Sequence, residues 1–303
     1  MNLNNRKPSA LLASLITGAG LVVVSGMALA GISNTKHNLG TTQPTAANNH
    51  VTDTGDICVF CHTPHGADIS NPLSNPPLWN KRLPATSGYS TYATLQSASI
   101  DGEILGVGSV SVACLSCHDG TQAMDNIINA PGSGGYDTTG GGASGRNFTW
   151  LGSDVSADGR MTNPAGGINV ALIGQDLRND HPIGVQYCGG GLTGTGATVT
   201  GTCKDTDFKN GATTPNGVAT QLINGVQFFW VNTAGGTAAR ERSDMQLYAR
   251  TFATGTGPSV ECGSCHDPHV ETNQTTGTLP AAGPTFLRIT NGGSAVCLSC
   301  HVK

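Results

Sequence analysis

The sequence predicts a mostly irregular chain, with short helices and a minor β component, folded around a core that its own side chains do not supply. Three observations lead there. Glycine accounts for 43 of 303 residues, about twice its ordinary usage. Aromatic residues make up 5% and charged residues 11%, so the bulky side chains that fill an ordinary interior are scarce. Of the 10 cysteines, all but Cys188 and Cys203 fall into C-x-x-C pairs, each followed at once by histidine.

Those groups are Cys58/Cys61/His62, Cys114/Cys117/His118, Cys262/Cys265/His266 and Cys297/Cys300/His301. The pattern marks covalent attachment of c-type haem. Two thiols on one turn reach the two vinyl groups on one porphyrin edge. The next residue then lies under the ring, where the histidine nitrogen meets iron. Zinc is the rival for paired C-x-x-C motifs, but a zinc ribbon needs no histidine after each second cysteine. A thioredoxin-like motif needs one pair in a βαβ setting. Four haems, as large flat apolar discs, would stand in for the missing core. Their thioether bonds would constrain the unfolded chain much as disulfides do. The predicted fold class is therefore a multihaem cytochrome c, organised around four covalently attached haems.

Residues 1–30 read as a cleaved signal peptide. Arg6 and Lys7 precede an apolar run from Ala10 to Val24, and Ala28-Leu29-Ala30 offers a cleavage site before Gly31. The run is short for a membrane span and is interrupted by Ser14, Thr17, Gly18 and Gly20. No later segment is apolar enough to span a bilayer. The mature chain is then expected to be secreted, extracellular or at the outer cell surface, with the periplasm as alternative. In that oxidising setting Cys188 and Cys203 are expected to form a disulfide. A net charge of −4 lacks the basic stripe that a nucleic-acid partner needs.

Residues 31–130 carry the first two motifs. "ACLSCHDGTQAMDNII" is expected to run on as a helix past Cys117, with Gly120 weighing against it. "NPLSNPPLWNKRLP" is too rich in proline for regular structure, and Trp79 is expected on a haem face. Residues 131–255 form a Gly/Thr-rich insert without a motif. Its composition is that of a linker, yet "GVQFFWVN" and "MQLYAR" have strand-like content. Closing the Cys188–Cys203 ring of about 16 residues contributes about 3 kcal/mol. A loop-rich, partly β surface layer is the expectation. Residues 256–303 carry the last two motifs.

Beyond the four proximal histidines lie His37, His50, His65, His181 and His269. The mature chain offers only Met124, Met161 and Met245 as methionine ligands, too few for four irons, so bis-histidine ligation and low potentials are expected. His65 and His269 stand in matching contexts, "CHTPH" and "CHDPH", each three residues after a proximal histidine. Pro64 and Pro268 fix the backbone before them. So short a link cannot pass round the porphyrin, and it spans about 10 Å at most. Each must therefore serve a neighbouring haem: His65 that of Cys114/Cys117, His269 that of Cys297/Cys300. His181 shares the rigid flank, with Asp180 before it and Pro182 after. His37 lies in the N-terminal arm, which is mobile unless tied down. His37 and His181 are favoured as ligands and His50 is the spare. With a distal ligand for every iron, no open position is left for catalysis, and the chain reads as an electron carrier rather than an enzyme.

Taken together, these pieces resemble the extracellular multihaem cytochromes of metal-reducing bacteria, most closely the tetrahaem OmcE type that polymerises into cytochrome filaments. The matching stretches are "KHNLG" (Lys36–Gly40), "CVFCHTPHGA" (Cys58–Ala67), "PLWN" (Pro77–Asn80), "CLSCHDGT" (Cys114–Thr121), "NDHPIG" (Asn179–Gly184), "CGSCHDPH" (Cys262–His269) and "CLSCH" (Cys297–His301). The resemblance implies a continuous haem stack and a homopolymer. One iron would take a histidine from the adjacent subunit, a role it implies for His37 or His50. It also implies other cytochromes and extracellular electron acceptors as partners. A monomeric shuttle and a multihaem reductase are the alternatives.

Overall fold

Strands form where β-branched and aromatic residues concentrate. The computed structural model describes residues 31–69, 76–132, 134–142, 148–211, 217–233, 239–270 and 286–302. In chain order its strands are β1 (His50–Val51), β2 (Trp150–Leu151), β3 (Val185–Gln186), β4 (Leu192–Thr195), β5 (Thr198–Gly201), β6 (Val218–Ile223), β7 (Val226–Val231), β8 (Met245–Phe252) and β9 (Gly255–Val260). The helices are α1 (Ser111–His118), α2 (Cys262–Cys265) and α3 (Ala295–Cys300). The expected signal peptide lies outside the described residues. Among those residues, no helix is long and apolar enough to cross a membrane.

Five strands make one antiparallel sheet in the order β3-β9-β8-β7-β6. The β6–β7 hairpin closes on Asn224-Gly225, both at positive φ (50° and 79°), the two-residue turn that matches strand twist. Tyr187, Leu192, Val218, Phe229, Val231, Met245 and Leu247 form the core on this sheet, together with Cys188. Cys188 is bonded to Cys203, with their Cα atoms 5.3 Å apart. The β4–β5 hairpin packs close upon β6 and β7. A Cβ at Gly194 would stand 2.7 Å from the Phe229 ring and 3.0 Å from the Thr220 hydroxyl.

Two expectations are corrected here. The β component is not minor: strand makes up 23% of the structure and helix 16%. Within the insert, the Val-, Phe- and Trp-rich segments outweigh their Gly-rich flanks. The sheet also runs across the expected boundary at 255/256, since β9 begins at Gly255. The second difference is that α1 stops at His118. The Asp119 carboxylate accepts the Thr121 N–H at 2.8 Å and its hydroxyl at 2.9 Å, a local turn that competes with helix. Gly120 then takes φ 72°. Met124 and Ile127 are buried from the irregular segment that follows.

The N-terminal part has little regular structure. β1 and β2 pair over two residues each, and Leu39, Val51, Phe60, Met124 and Phe148 form its apolar cluster. Val107, Val112, Leu115 and Leu177 form a third cluster under α1.

Candidate haem sites

Each C-x-x-C-H motif is one turn of helix. In three of them the histidine N–H donates to the carbonyl of the first cysteine: His62 to Cys58 at 2.8 Å, His266 to Cys262 at 3.2 Å and His301 to Cys297 at 3.0 Å. That bond gathers both thiols and the histidine on a single turn. The chain then straightens, and the same three histidines bridge Trp79, Leu287 and Phe208. Trp79 stands edge-on to His62, with ring centres 5.9 Å apart at 88°.

The motifs are stitched to one another. Glu261 caps α2 through a reciprocal box with Ser264. Its buried carboxylate also accepts the Ser111 hydroxyl at 2.6 Å and pairs with Arg250 at 3.1 Å. The Ser111 hydroxyl accepts the Cys262 N–H at 3.1 Å, so the first turns of α1 and α2 touch. At Gly263 a Cβ would lie 2.3 Å from the Tyr248 hydroxyl, which leaves glycine as the residue this turn of "CGSC" accommodates.

The thiols form a row. Burial, with the neighbouring Cys117 and Cys58, pushes the Cys61 thiol up to about 12, against the pull of Lys81. The Cys114 and Cys262 thiols interact, which raises that of Cys114 and lowers that of Cys262. Cys265 feels Cys297, and Cys300 feels Cys265. The order in space is thus first motif, second, third, fourth. Cys58 and Cys297, at the two ends, are exposed, while the cysteines between them are partly covered. A cleft of about 430 Å³, lined by Gly293, Ser294, Cys297, Leu298 and His301, opens at the fourth motif.

Two proximal histidines face distal candidates. The His62 and His269 rings are nearly parallel (11°), with centres 6.2 Å apart. His118 and His37 stand 6.1 Å apart. Two metal–imidazole bonds of about 2 Å, plus roughly 1 Å from each nitrogen to its ring centre, give a separation of about 6 Å. Both pairs fit one six-coordinate iron between them. The Nδ1 atoms are already engaged: His62 with the Pro77 carbonyl at 2.8 Å, His118 with Ala171 at 2.7 Å and His37 with Pro268 at 2.9 Å. That engagement fixes the tautomer and leaves Nε2 for a metal. His269 Nδ1 is 3.2 Å from Asp267 Oδ1.

This differs from the expected pairing. His269 stands opposite His62, where the Asp267 backbone is tied to Phe286 and its carboxylate to the His269 N–H. His118 faces His37 rather than His65. His65 is exposed, and its carbonyl is fixed by the Thr63 hydroxyl at 2.8 Å and the Asn129 amide at 3.0 Å. His181 is exposed. Its Nδ1 lies 3.0 Å from the Pro182 carbonyl, and the β3–β9 ladder begins after it with the Gly184 N–H to the Val260 carbonyl at 2.8 Å. His50 is buried in β1, with Nδ1 on the Asn48 carbonyl at 2.7 Å. The His301 ring lies 4.2 Å from Phe208.

Sequence reasoning did not find Glu261, nor the carbonyl acceptors that orient the histidines, since a backbone carbonyl leaves no signature in side-chain identity. It also missed Lys81, whose fully buried side chain nothing in "PLWNKRLP" announces. No protein-family model matches the chain, and no curated protein matches it.

Proposed function

We propose that the chain is a tetrahaem c-type cytochrome that passes electrons along closely spaced bis-histidine haems. On this reading it is a polymerising extracellular subunit that delivers electrons to external acceptors. The observation that carries the proposal is the row of thiol pairs, ordered from first motif to fourth and exposed at both ends. In this reading the cysteine pairs hold four haems, with His62, His118, His266 and His301 proximal. His269 serves the first site, His37 the second, and His181 is assigned to the third. Haem, if held by these residues, would supply one-electron chemistry.

The chain's own residues do the rest. Carbonyls of Pro77, Ala171 and Pro268 keep the Nδ1 protons of His62, His118 and His37 in place. The "CHDPH" segment ties the third motif to the first through His269 and to the second through the Pro268 carbonyl. Among the described residues, no three His, Cys, Asp or Glu side chains converge as a metal-ion cage. A zinc site would need such convergence, whereas an axial haem site needs only two histidines. The resemblance to filament-forming cytochromes adds an axial histidine shared between subunits. With His37 set against His118 and His50 buried, we assign that role to the exposed His65, beside the exposed end of the row.

Electron microscopy of the purified protein, with a haem count, tests the proposal. Filaments of a subunit carrying four low-spin haems are expected. Persistent monomers would favour a shuttle, and a high-spin iron in the native protein would favour an enzyme.

A further inference from the structure

Lys81 is fully buried. Its ammonium donates to the carbonyls of Ala123 at 2.8 Å, Met124 at 3.3 Å and Asn126 at 3.3 Å. Three protons meet three acceptors. Among the described residues, no carboxylate forms an ion pair with it. Asp125, within the same turn, is 2% exposed and its Oδ1 has no hydrogen-bond partner. A buried cation costs free energy that an apolar side chain of similar length would not.

The charge is placed with care. Asn80, the residue before it, donates its N–H to the Cys61 carbonyl at 2.9 Å and its amide to the Val59 carbonyl at 2.7 Å. The three accepting carbonyls belong to the segment after α1. Met124 of that segment shares an apolar cluster with Cys61 and Cys117. The field of Lys81 reaches the Cys61 thiol, where it opposes the effect of burial.

We propose that Lys81 sets a reduction potential: its fixed positive charge favours the reduced state of the haem held by Cys58, Cys61 and His62. This rests on the haem reading above. Reduction of that site takes one electron from a neighbouring haem, and no bond is made or broken. The site becomes one unit more negative, which a nearby cation in a poorly screened interior stabilises. Lys81 is therefore a positioning residue for charge, and it biases the electron toward the exposed first end of the row.

The test is a redox titration of the four-haem protein, as wild type, Lys81→Gln, Lys81→Arg and Asp125→Asn. It is run at mildly alkaline pH, because burial raises the Asp125 carboxyl above its ordinary value. Lys81→Gln should lower one midpoint by an equilibrium factor of about 10, which is about 59 mV for a one-electron couple. Lys81→Arg should stay near wild type. Asp125→Asn should raise the same midpoint. A purely structural lysine would not produce opposite signs at one haem. Unchanged midpoints in a folded, fully loaded Lys81→Gln protein overturn the proposal, as does an equal fall in Lys81→Arg. Should Lys81→Gln not load haem, an unchanged or lowered midpoint in Asp125→Asn overturns it. A wild-type chain without covalent haem defeats the underlying reading instead, so the two failures are told apart.

Discussion

What one ring nitrogen of a histidine is bonded to decides whether the other is free to bind a metal. His37 shows this most fully. Its Nδ1 lies on the Pro268 carbonyl, its ring stacks 4.1 Å from Phe286, and it faces His118. Burial, then the charges of His118, His269 and His266, pull it from 6.5 to about 4, against the Pro268 bond. The unfolded chain therefore takes up this proton before the folded one does. Stability from this site is complete above about pH 6.5 and is lost as pH falls through 4. Iron on Nε2, the nitrogen that takes up this proton, would act in the same direction, because proton and metal compete for one lone pair. Melting temperature should rise with pH across that window for wild type, and this slope should flatten in His37→Gln. Equal slopes would remove His37 from the account. Pairing is tested in the same way. His269→Ala should turn one haem of four high-spin, and that signal should vanish when Cys58 and Cys61 are also replaced. Its disappearance on replacing Cys297 and Cys300 instead would restore the pairing expected from sequence.

Elements differ in how much of themselves they write into the sequence. The motif turns are legible because their chemistry is local: both thiols and the histidine fall on one turn. β7 and β8 are legible from their Val, Phe, Trp and Leu content. The extent of the sheet is not, because β9 is held by pairing with β8, and β3 by pairing with β9, rather than by their own composition. "GTGPSV" carries Gly and Pro yet forms five paired positions with β8. The stop of α1 is hidden in Asp119, whose carboxylate outbids the helix for the Thr121 backbone donor. The disulfide anchors β4 and β5 to the core beside Cys265 and Cys300. Replacing Cys188 and Cys203 together by Ala should cost about 3 kcal/mol in denaturant unfolding. The bond lies at the third and fourth motifs, so haem loading at the first two should be unaffected. Gly194→Ala should cost about 1–3 kcal/mol by overpacking Phe229. A neutral result would mean that the β4–β5 hairpin is free to shift away from the sheet.

The molecule as a whole is organised by long-range joints that no short motif encodes. "CHDPH" reads locally as a bridge from the third motif to the fourth. In the fold it reaches the first motif through His269 and the second through Pro268, because the Phe286 and Asp267 contacts turn it that way. That fold sets His37 against His118 and His269 against His62 within one chain. It leaves His65 exposed at one end of the thiol row, with the cleft and the exposed Leu298 and Val302 at the other. A row open at both ends extends only if the end of one subunit meets the start of the next. His65 is fixed for such a reach, since its backbone is clamped by Thr63 and Asn129 while its ring faces solvent. His65→Ala should then load four haems and keep the His62/His269 and His37/His118 sites low-spin. It should sediment as a monomer under conditions where the proposed reading has the wild type form filaments. Filaments that persist unchanged in His65→Ala would move the joint to another residue. Loss of low-spin ligation at the second motif would show that His65 works within its own chain, as its sequence context first suggested.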